Sequence, residues 1–347
     1  MESRTSTLWP RAQTKLLILR ERNFRLMRKP TPLHGLFPMW GKAWGTLWKK
    51  LISPLVSMPM NPWGAAKIRV FSGLERSENV QGSSPLRESK LIIPNRIVVF
   101  RRHNFDAIHA FAATLDTTQI DSLVLNAGVQ SYDVSARTEQ GFERTFGINH
   151  LAHYLLARFL LPQMKDGVIL VFTASGTHNP AEKHPIPPPN HANAEWLAYP
   201  ARDPHLDRRP MMAALRAYSS SKLCNVMTAR TLATRPEVLS RGLRVFAYDP
   251  GLTPGTGLVQ SAPFVVRRLI WPFFSLIQPF SGCMNSLVNA GRGLADLSDG
   301  TVSSKTAIYC SLRKGKPTWP SPSTVVQDDA ACASLWRDSA TMVGLPA

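Results

Sequence analysis

Four short apolar runs separated by stretches of helical spacing constrain this chain more than any other feature. They are Ile97-Val-Val-Phe100, Ser122-Leu-Val-Leu-Asn-Ala-Gly128, Val168-Ile-Leu-Val-Phe-Thr173 and Leu243-Arg-Val-Phe-Ala-Tyr248. Near-continuous apolar runs of this length, without polar alternation, suit strands covered on both faces. Between them, Phe105 to Leu115 has helical spacing with Asn104 as N-cap. Gln140 to Met164 reads as one long leucine-rich helix closed by Pro162, and Ala213 to Ala233 as another. Strand, helix, strand, helix over Arg96 to Gly251 predicts an α/β fold, a parallel sheet with helices on both faces. The proline-rich stretch Pro185 to Pro210 is expected to be an irregular loop.

In an open parallel sheet, ligands bind beyond the carboxyl ends of the strands, and the candidate residues fall there. Asn126, Ala127 and Gly128 close one run; a glycine lets backbone approach a ligand closely, or simply makes a tight turn. Ser175 follows the Val168–Thr173 run, where its hydroxyl could donate to a substrate carbonyl; the alternative is an ordinary loop serine. Asn149 sits inside a predicted helix, where asparagine is unfavourable, so it is either exposed or has a task. Its neighbours His150 and His153 are read as packing or helix-surface residues rather than metal ligands. Tyr218 and Lys222 are spaced i, i+4 and so share a helix face. A lysine there favours the tyrosinate and is expected to draw the phenol's pKa toward neutrality, making it usable for proton transfer. Pro250-Gly251 follows the last run.

Taken in order, Asn126-Ala-Gly128, Asn149, Ser175, Tyr218-Ser-Ser-Ser-Lys222 and Pro250-Gly251 resemble the short-chain dehydrogenase/reductase family. Asn149-His-Leu-Ala-His-Tyr-Leu-Leu156, Lys222-Leu-Cys-Asn225 and the long insertion between Ser175 and Tyr218 are similar to its protochlorophyllide-reductase-like and retinol-dehydrogenase-like branch. So are the Tyr309 to Pro320 stretch and Leu335-Trp-Arg-Asp-Ser339. The resemblance implies a doubly wound, Rossmann-like sheet and hydride transfer with a nicotinamide cofactor, NADP with NAD left open. It implies Tyr218 as acid/base, Lys222 as its pKa modulator and ribose ligand, and Ser175 orienting the reacting oxygen. Asn149 would kink its helix and complete a proton relay through a held water. Asn126, Ala127, Gly128, Pro250 and Gly251 would lie against the cofactor. The implied substrate is an apolar small-molecule carbonyl or alcohol. Cys224 matches a cysteine of the true reductases, or is a small buried helix residue.

The resemblance begins near Ile97. Upstream, the family requires a strand ending in Thr-Gly-x-x-x-Gly-x-Gly that opens a phosphate-binding helix. Gly64, Gly73 and Gly82 do not have that spacing, and Arg101-Arg102-His103 stands where the family usually carries an adenine-contacting aspartate. The chain therefore divides at about residue 95, into a basic tryptophan- and proline-containing segment (1–95) and an α/β domain (96–347). The first segment is read as unrelated to the family's front, as a misread or wrongly started frame would produce. It is expected to be weakly ordered over 1–90, with no strand beside the one ending at Asn126. The sheet should accordingly be incomplete or irregular in its N-terminal half.

Charge supports the same division. The formal net charge is +18, and Met1 to Met60 holds 11 basic residues against 2 acidic ones. Five of the nine tryptophans lie before residue 64, and Phe37 to Val56 could form a basic amphipathic helix at a membrane surface. Charge alone also suggests nucleic acid, but no motif organises the basic residues, so no nucleic-acid partner is expected. The four cysteines are widely spaced, with no Cys-x-x-Cys pair, which argues against a metal site or a disulfide framework. No secretory signal or run of eighteen apolar residues is present. The expected location is cytoplasmic, with peripheral-membrane or organellar placement and homo-oligomer formation left open. Ala262 to Phe280 is read as a lid over an apolar substrate, or as a membrane contact. The functional expectation is an NAD(P)-dependent oxidoreductase impaired by its missing phosphate loop. The alternative is a non-catalytic pseudo-enzyme, or a truncated or misread product acting as a binding or membrane-surface protein.

Overall fold

The computed structural model of the chain describes residues 16–21, 89–93, 96–100, 104–254, 256 and 284–347. The elements in chain order are β1 (Leu16–Glu21), β2 (Ser89–Ile93), β3 (Arg96–Phe100), α1 (Phe105–Ala113), β4 (Ser122–Leu125) and α2 (Ala152–Leu160). There follow β5 (Ile169–Thr173), α3 (Ala194–Ala198), α4 (Pro210–Ala233), α5 (Pro236–Ser240) and β6 (Arg244–Asp249). The chain closes with α6 (Leu287–Ser298), β7 (Tyr309–Arg313), β8 (Lys316–Thr318) and α7 (Asp329–Met342). One sheet of the order β3-β2-β1-β4-β5-β6-β7-β8 unites the strands.

Strands β1, β4, β5, β6 and β7 are mutually parallel, the arrangement expected from the alternation of runs and helices. The sheet is irregular at its N-terminal side, also as expected. There β2 runs antiparallel to both β1 and β3, Ile93 pairing with Arg96. One expectation fails outright. β1 pairs in parallel with β4, Leu16 opposite Ser122 and Ile18 opposite Val124, so a strand from the first 90 residues does lie beside the one ending at Asn126. The run Leu16-Leu-Ile-Leu19 carries enough apolar, β-forming character for that role. It escaped notice because no glycine turn follows it.

The sheet's period of two divides the core cleanly. Leu123 and Leu125 of β4, Leu170 and Phe172 of β5, and Val245 and Ala247 of β6 join one cluster with α1, α2, α4 and α7. The intervening Val124, Ile169, Val171, Phe246 and Tyr248 join the other, against Leu294 and Leu297 of α6. All of β4 and β5 is buried, which explains why these runs lack polar alternation.

Local chemistry sets the boundaries. Asn104 caps α1 through a bond from the Ala107 amide at 3.0 Å. The long helix expected over Gln140 to Met164 is shorter and broken. Gly141 has φ 85, Glu143 caps the first turn at Arg144–Phe146, and a π-helical turn, Gly147–Leu151, precedes α2. The Pro185 to Pro210 stretch is not wholly irregular either. It contains α3, capped by Asn193, and a 3-10 turn at Pro200–Arg202. Arg216, on the second turn of α4, fastens this insertion: its Nε and Nη2 meet Asp207 at 2.6 and 3.1 Å, and its Nη1 meets Pro188 O and Asn190 Oδ1. Phe37 to Val56 and Ala262 to Phe280, proposed above as surface helix and lid, lie outside the described residues, as do Arg101-Arg102-His103.

Candidate active site

The carboxyl ends of β4, β5 and β6 are level, since Leu125 pairs with Phe172 and Thr173 with Tyr248. Asn126, Ser175 and Pro250 leave these ends, and α4 brings Tyr218 and Lys222 to the same edge. The anchor is the end of β5. The Thr173 carbonyl accepts from Lys222 Nζ at 2.9 Å and from Asn225 Nδ2 at 3.2 Å, while its hydroxyl donates to Asn126 Oδ1 at 2.8 Å. Three elements are thereby tied to one residue.

Asn149 performs a second stitch. Its Oδ1 accepts from the Val129 amide at 2.8 Å, and its Nδ2 donates to Val129 O at 2.9 Å and Ser221 Oγ at 3.0 Å. The side chain thus pairs with the loop after β4 as a neighbouring strand would, and reaches α4 between Tyr218 and Lys222. It is fully buried, so of the two readings of a mid-helix asparagine, a task is the one realised. Asn149 lies within the π-helical turn Gly147–Leu151, and such turns recur at functional sites.

Tyr218 is 7% exposed and Lys222 3%. Ser175 neighbours the tyrosine and favours its ionised form, and Lys222 Nζ lies 5.7 Å from the centre of the tyrosine ring. The expected depression of the phenol's pKa is not found. Burial pushes it above its ordinary value, Asp249 and Tyr132 push it further, and Ser175 only partly offsets them. The physical reason is that the phenol is out of water, while the Lys222 ammonium donates to the Thr173 carbonyl.

Gly128 faces this cluster. A Cβ built there would stand 3.5 Å from Lys222 Nζ and 3.6 Å from Asn149 Oδ1. The glycine backbone therefore lies directly against the buried ammonium. Gly251, at φ 69, turns the chain at the end of β6, and its amide donates to Asp249 Oδ1 at 2.9 Å. This is a position where a side chain is disfavoured on backbone grounds. Ala127 is buried in the core.

The structure therefore brings Asn126, Gly128, Asn149, Ser175, Tyr218, Lys222, Pro250 and Gly251 to one edge of the sheet. Reasoning from sequence missed Thr173, Ser221, Asn225 and Asp249. Only Asp249 carried a usable signal, as a charged residue closing an otherwise apolar strand. His150 is buried, bonded to Ser339 at 2.9 Å, with its pKa pushed down to about 3 by burial, which fits packing. Cys224 is fully buried within α4 and burial raises its thiol pKa, as for a small core residue. Among the described residues, no three His, Cys, Asp or Glu side chains converge as for a metal ion. No helix among them is long and apolar enough to cross a membrane.

Known proteins share sequence with this chain. The chain is 31% identical over 242 residues to the chloroplastic protochlorophyllide reductase of Chlamydomonas reinhardtii, an alignment covering 66% of this chain and 59% of that protein. It is 26% identical over 247 residues to the short chain dehydrogenase/reductase dpchH of Colletotrichum higginsianum, covering 65% and 55% respectively. Against dehydrogenase/reductase SDR family member 13 of Bos taurus the identity is 26% over 342 residues, covering 93% and 78%. These similarities support placing the chain in the short-chain dehydrogenase/reductase family. Within that family it stands on the protochlorophyllide-reductase-like side. The chain spans a little over half the length of the first two relatives, 59% and 55%. No family model matches it. In this family member β1 occupies the place beside β4, yet its sequence continues Arg20-Glu-Arg-Asn23, and the next glycine is Gly35.

Proposed function

We propose that this chain is an oxidoreductase that uses a nicotinamide cofactor, with Tyr218 as the proton-transferring acid/base. The observation that carries the reading is the burial of Tyr218 beside Lys222, which is held by the Thr173 carbonyl at the end of β5, with Asn149 bonded to Ser221 between them. A phenol held neutral by burial is suited to donate a proton to a developing alkoxide or enolate. Ser175, which follows β5 and neighbours that phenol, would place a second hydroxyl on the same oxygen. Lys222, held by Thr173, supplies positive charge beside the ring, and Asn149 fixes the loop after β4 against α4.

The residues at this edge fit the reactive end of a nicotinamide cofactor. Gly128 leaves backbone open against Lys222, and the Gly251 turn brings β6 to the same edge. When bound, the cofactor supplies the hydride. Lys222 and Gly128 would hold its ribose side, and Pro250 and Gly251 would border the nicotinamide. NADP rather than NAD is our reading, by analogy with the reductases on this side of the family. The substrate is an apolar carbonyl compound or alcohol, and the absence of a glycine-rich turn after β1 weakens cofactor binding. The test is titration of the purified full chain with NADPH, followed by turnover assays with a panel of apolar ketones. Absence of oxidation of NADPH at any concentration, in the presence of a folded chain, would replace this reading by that of a non-catalytic relative.

A further inference from the structure

Behind Ser175 lies a charged cluster that the proton-transfer reading does not use. Asp249, the last residue of β6, is 1% exposed. Its Oδ1 accepts from the Gly251 amide at 2.9 Å, and its Oδ2 from Tyr309 Oη at 3.1 Å and Ser311 Oγ at 2.8 Å. Arg313 Nη2 stands 3.6 Å from the same oxygen and is also bonded to Glu182 in the loop after β5. Glu182 Oε2 in turn meets His184 Nε2 at 3.3 Å. All three side chains converge on Gly176, next to Ser175. A Cβ there would lie 2.5 Å from both Glu182 Oε2 and His184 Nε2 and 3.2 Å from Asp249 Oδ2.

The other side of the Ser175 turn is held by His178. This ring is fully buried; its Nε2 accepts from the Ser323 amide at 3.3 Å, so Nδ1 carries the proton and donates to the Ser175 carbonyl at 2.8 Å. The ring packs edge-on against Tyr309 at 4.8 Å, and Tyr309 returns to Asp249. A buried carboxylate is costly unless paired and hydrogen-bonded. Here it receives three hydrogen bonds and a guanidinium, at a point where simple apolar packing would close the same sheet edge. Such a group is retained where geometry must be unique.

We propose that Asp249 is a positioning residue that locks the Ser175–His178 turn to the Pro250–Gly251 turn, with Arg313 and Glu182 as its link across the loop. It rests on the reading of Ser175 and Tyr218 given above. Asp249 acts through Ser175: displacing that turn moves the hydroxyl that neighbours Tyr218, and a shift of about 1 Å in a reacting group can cost about a hundredfold in rate.

The test uses the full chain and readouts that need no turnover. Hydrogen exchange is measured for Asp249→Asn, Asp249→Ala and Glu182→Gln, together with the fluorine resonance of 3-fluorotyrosine placed at position 218. Asp249→Asn keeps an oxygen for the Gly251 amide but loses the charge facing Arg313. Residues 175–184 should therefore exchange at least about tenfold faster, while 250–253 stay protected and the 218 resonance shifts. Asp249→Ala should open both segments, and Glu182→Gln only 175–184. Protection in β4 and β5 should remain unchanged in all three, which separates positioning from general loss of stability. Unchanged exchange over 175–184 in both Asp249 variants, or acceleration spread evenly over β4 and β5, overturns the proposal. Failure of NADPH to react would overturn the functional reading alone, because these signals are independent of it.

Discussion

The carboxyl ends of β1 and β4 lie side by side in the sheet, yet their sequences could hardly differ more. β4 passes into Asn126-Ala-Gly128, where a half-buried amide is bound by Thr173 and a glycine backbone opens onto Lys222. β1 ends in Arg20-Glu21 and continues with Arg22 and Asn23. In a parallel sheet of this order, both ends border the same crevice. One end carries an asparagine fastened to β5 and a glycine facing Lys222; the other lacks the glycines that let backbone amides approach phosphate. The contrast teaches that pairing and chemistry are separable. Four apolar residues suffice to place β1 in register with β4, because strand pairing uses only backbone groups and side-chain burial. Phosphate binding needs a turn that only particular residues can make.

The sharpest way to break the comparison is at Tyr218. In a chain given a glycine-rich turn after β1, Tyr218→Phe should lower turnover roughly 10²–10⁴-fold, the range for loss of a general acid. The loss should appear in kcat rather than in NADPH affinity. A variant retaining more than half of the activity would remove Tyr218 from the mechanism.

Next comes the cofactor itself. The chain as written should bind NADPH about three decades more weakly than the glycine-restored chain. Two or three missing charged hydrogen bonds, each worth roughly 1.5–3 kcal/mol, account for that difference. Calorimetry on both chains measures it directly. Micromolar affinity in the chain as written would show that another segment cradles the phosphates.

On the β4 side, Asn149→Ala removes one acceptor and two donor contacts and leaves the Val129 amide and carbonyl buried without their partner. A loss of about 2–4 kcal/mol is expected from denaturant unfolding, since unsatisfied buried groups cost about 1–3 kcal/mol each. Asn149→Asp should do little better, because it cannot donate to Val129 O.

The smallest effect is a pH dependence. Burial raises the Glu143 carboxyl from its ordinary 4.5 to about 7, although it accepts from the Thr145 and Phe146 amides. Between these two values the folded chain holds a proton that the unfolded chain has released. This group's contribution is therefore fully present below about pH 4.5 and is lost as pH rises toward about 7. Glu143→Gln should flatten that slope, by on the order of 2 kcal/mol between pH 5 and pH 8, in denaturant midpoints measured across that range.

Most of the rear of the molecule was legible in the sequence. Runs such as Leu123-Val-Leu125 and Ile169–Thr173 announced strands buried on both faces, and Asn104 announced the start of α1. Asn149 stood out because helical propensity argues against it. Less visible were features that depend on partners distant in sequence. Thr173 looks like an ordinary strand end until Lys222 and Asn225 converge on its carbonyl, and Ser221 is unremarkable until Asn149 reaches it from 72 residues away. The break in the helix at Gly147–Leu151 was also hidden, since leucine spacing continues through it.

By itself, then, the sequence determined the identity and order of β4, β5 and β6 and the set of groups available for chemistry. The physical reason is that burial on two faces and i, i+4 spacing are written into neighbouring residues. Tertiary structure decided what those groups do to one another. It paired Leu16–Glu21 with β4 despite the missing glycine turn, and reversed β2. It brought the Lys222 ammonium to the Thr173 carbonyl and took the Tyr218 phenol out of water, which raises its pKa. It placed Asp249 behind Ser175 through Tyr309, Ser311 and Arg313. These outcomes depend on desolvation and on contacts across 49 or more residues of chain, which local pattern does not encode.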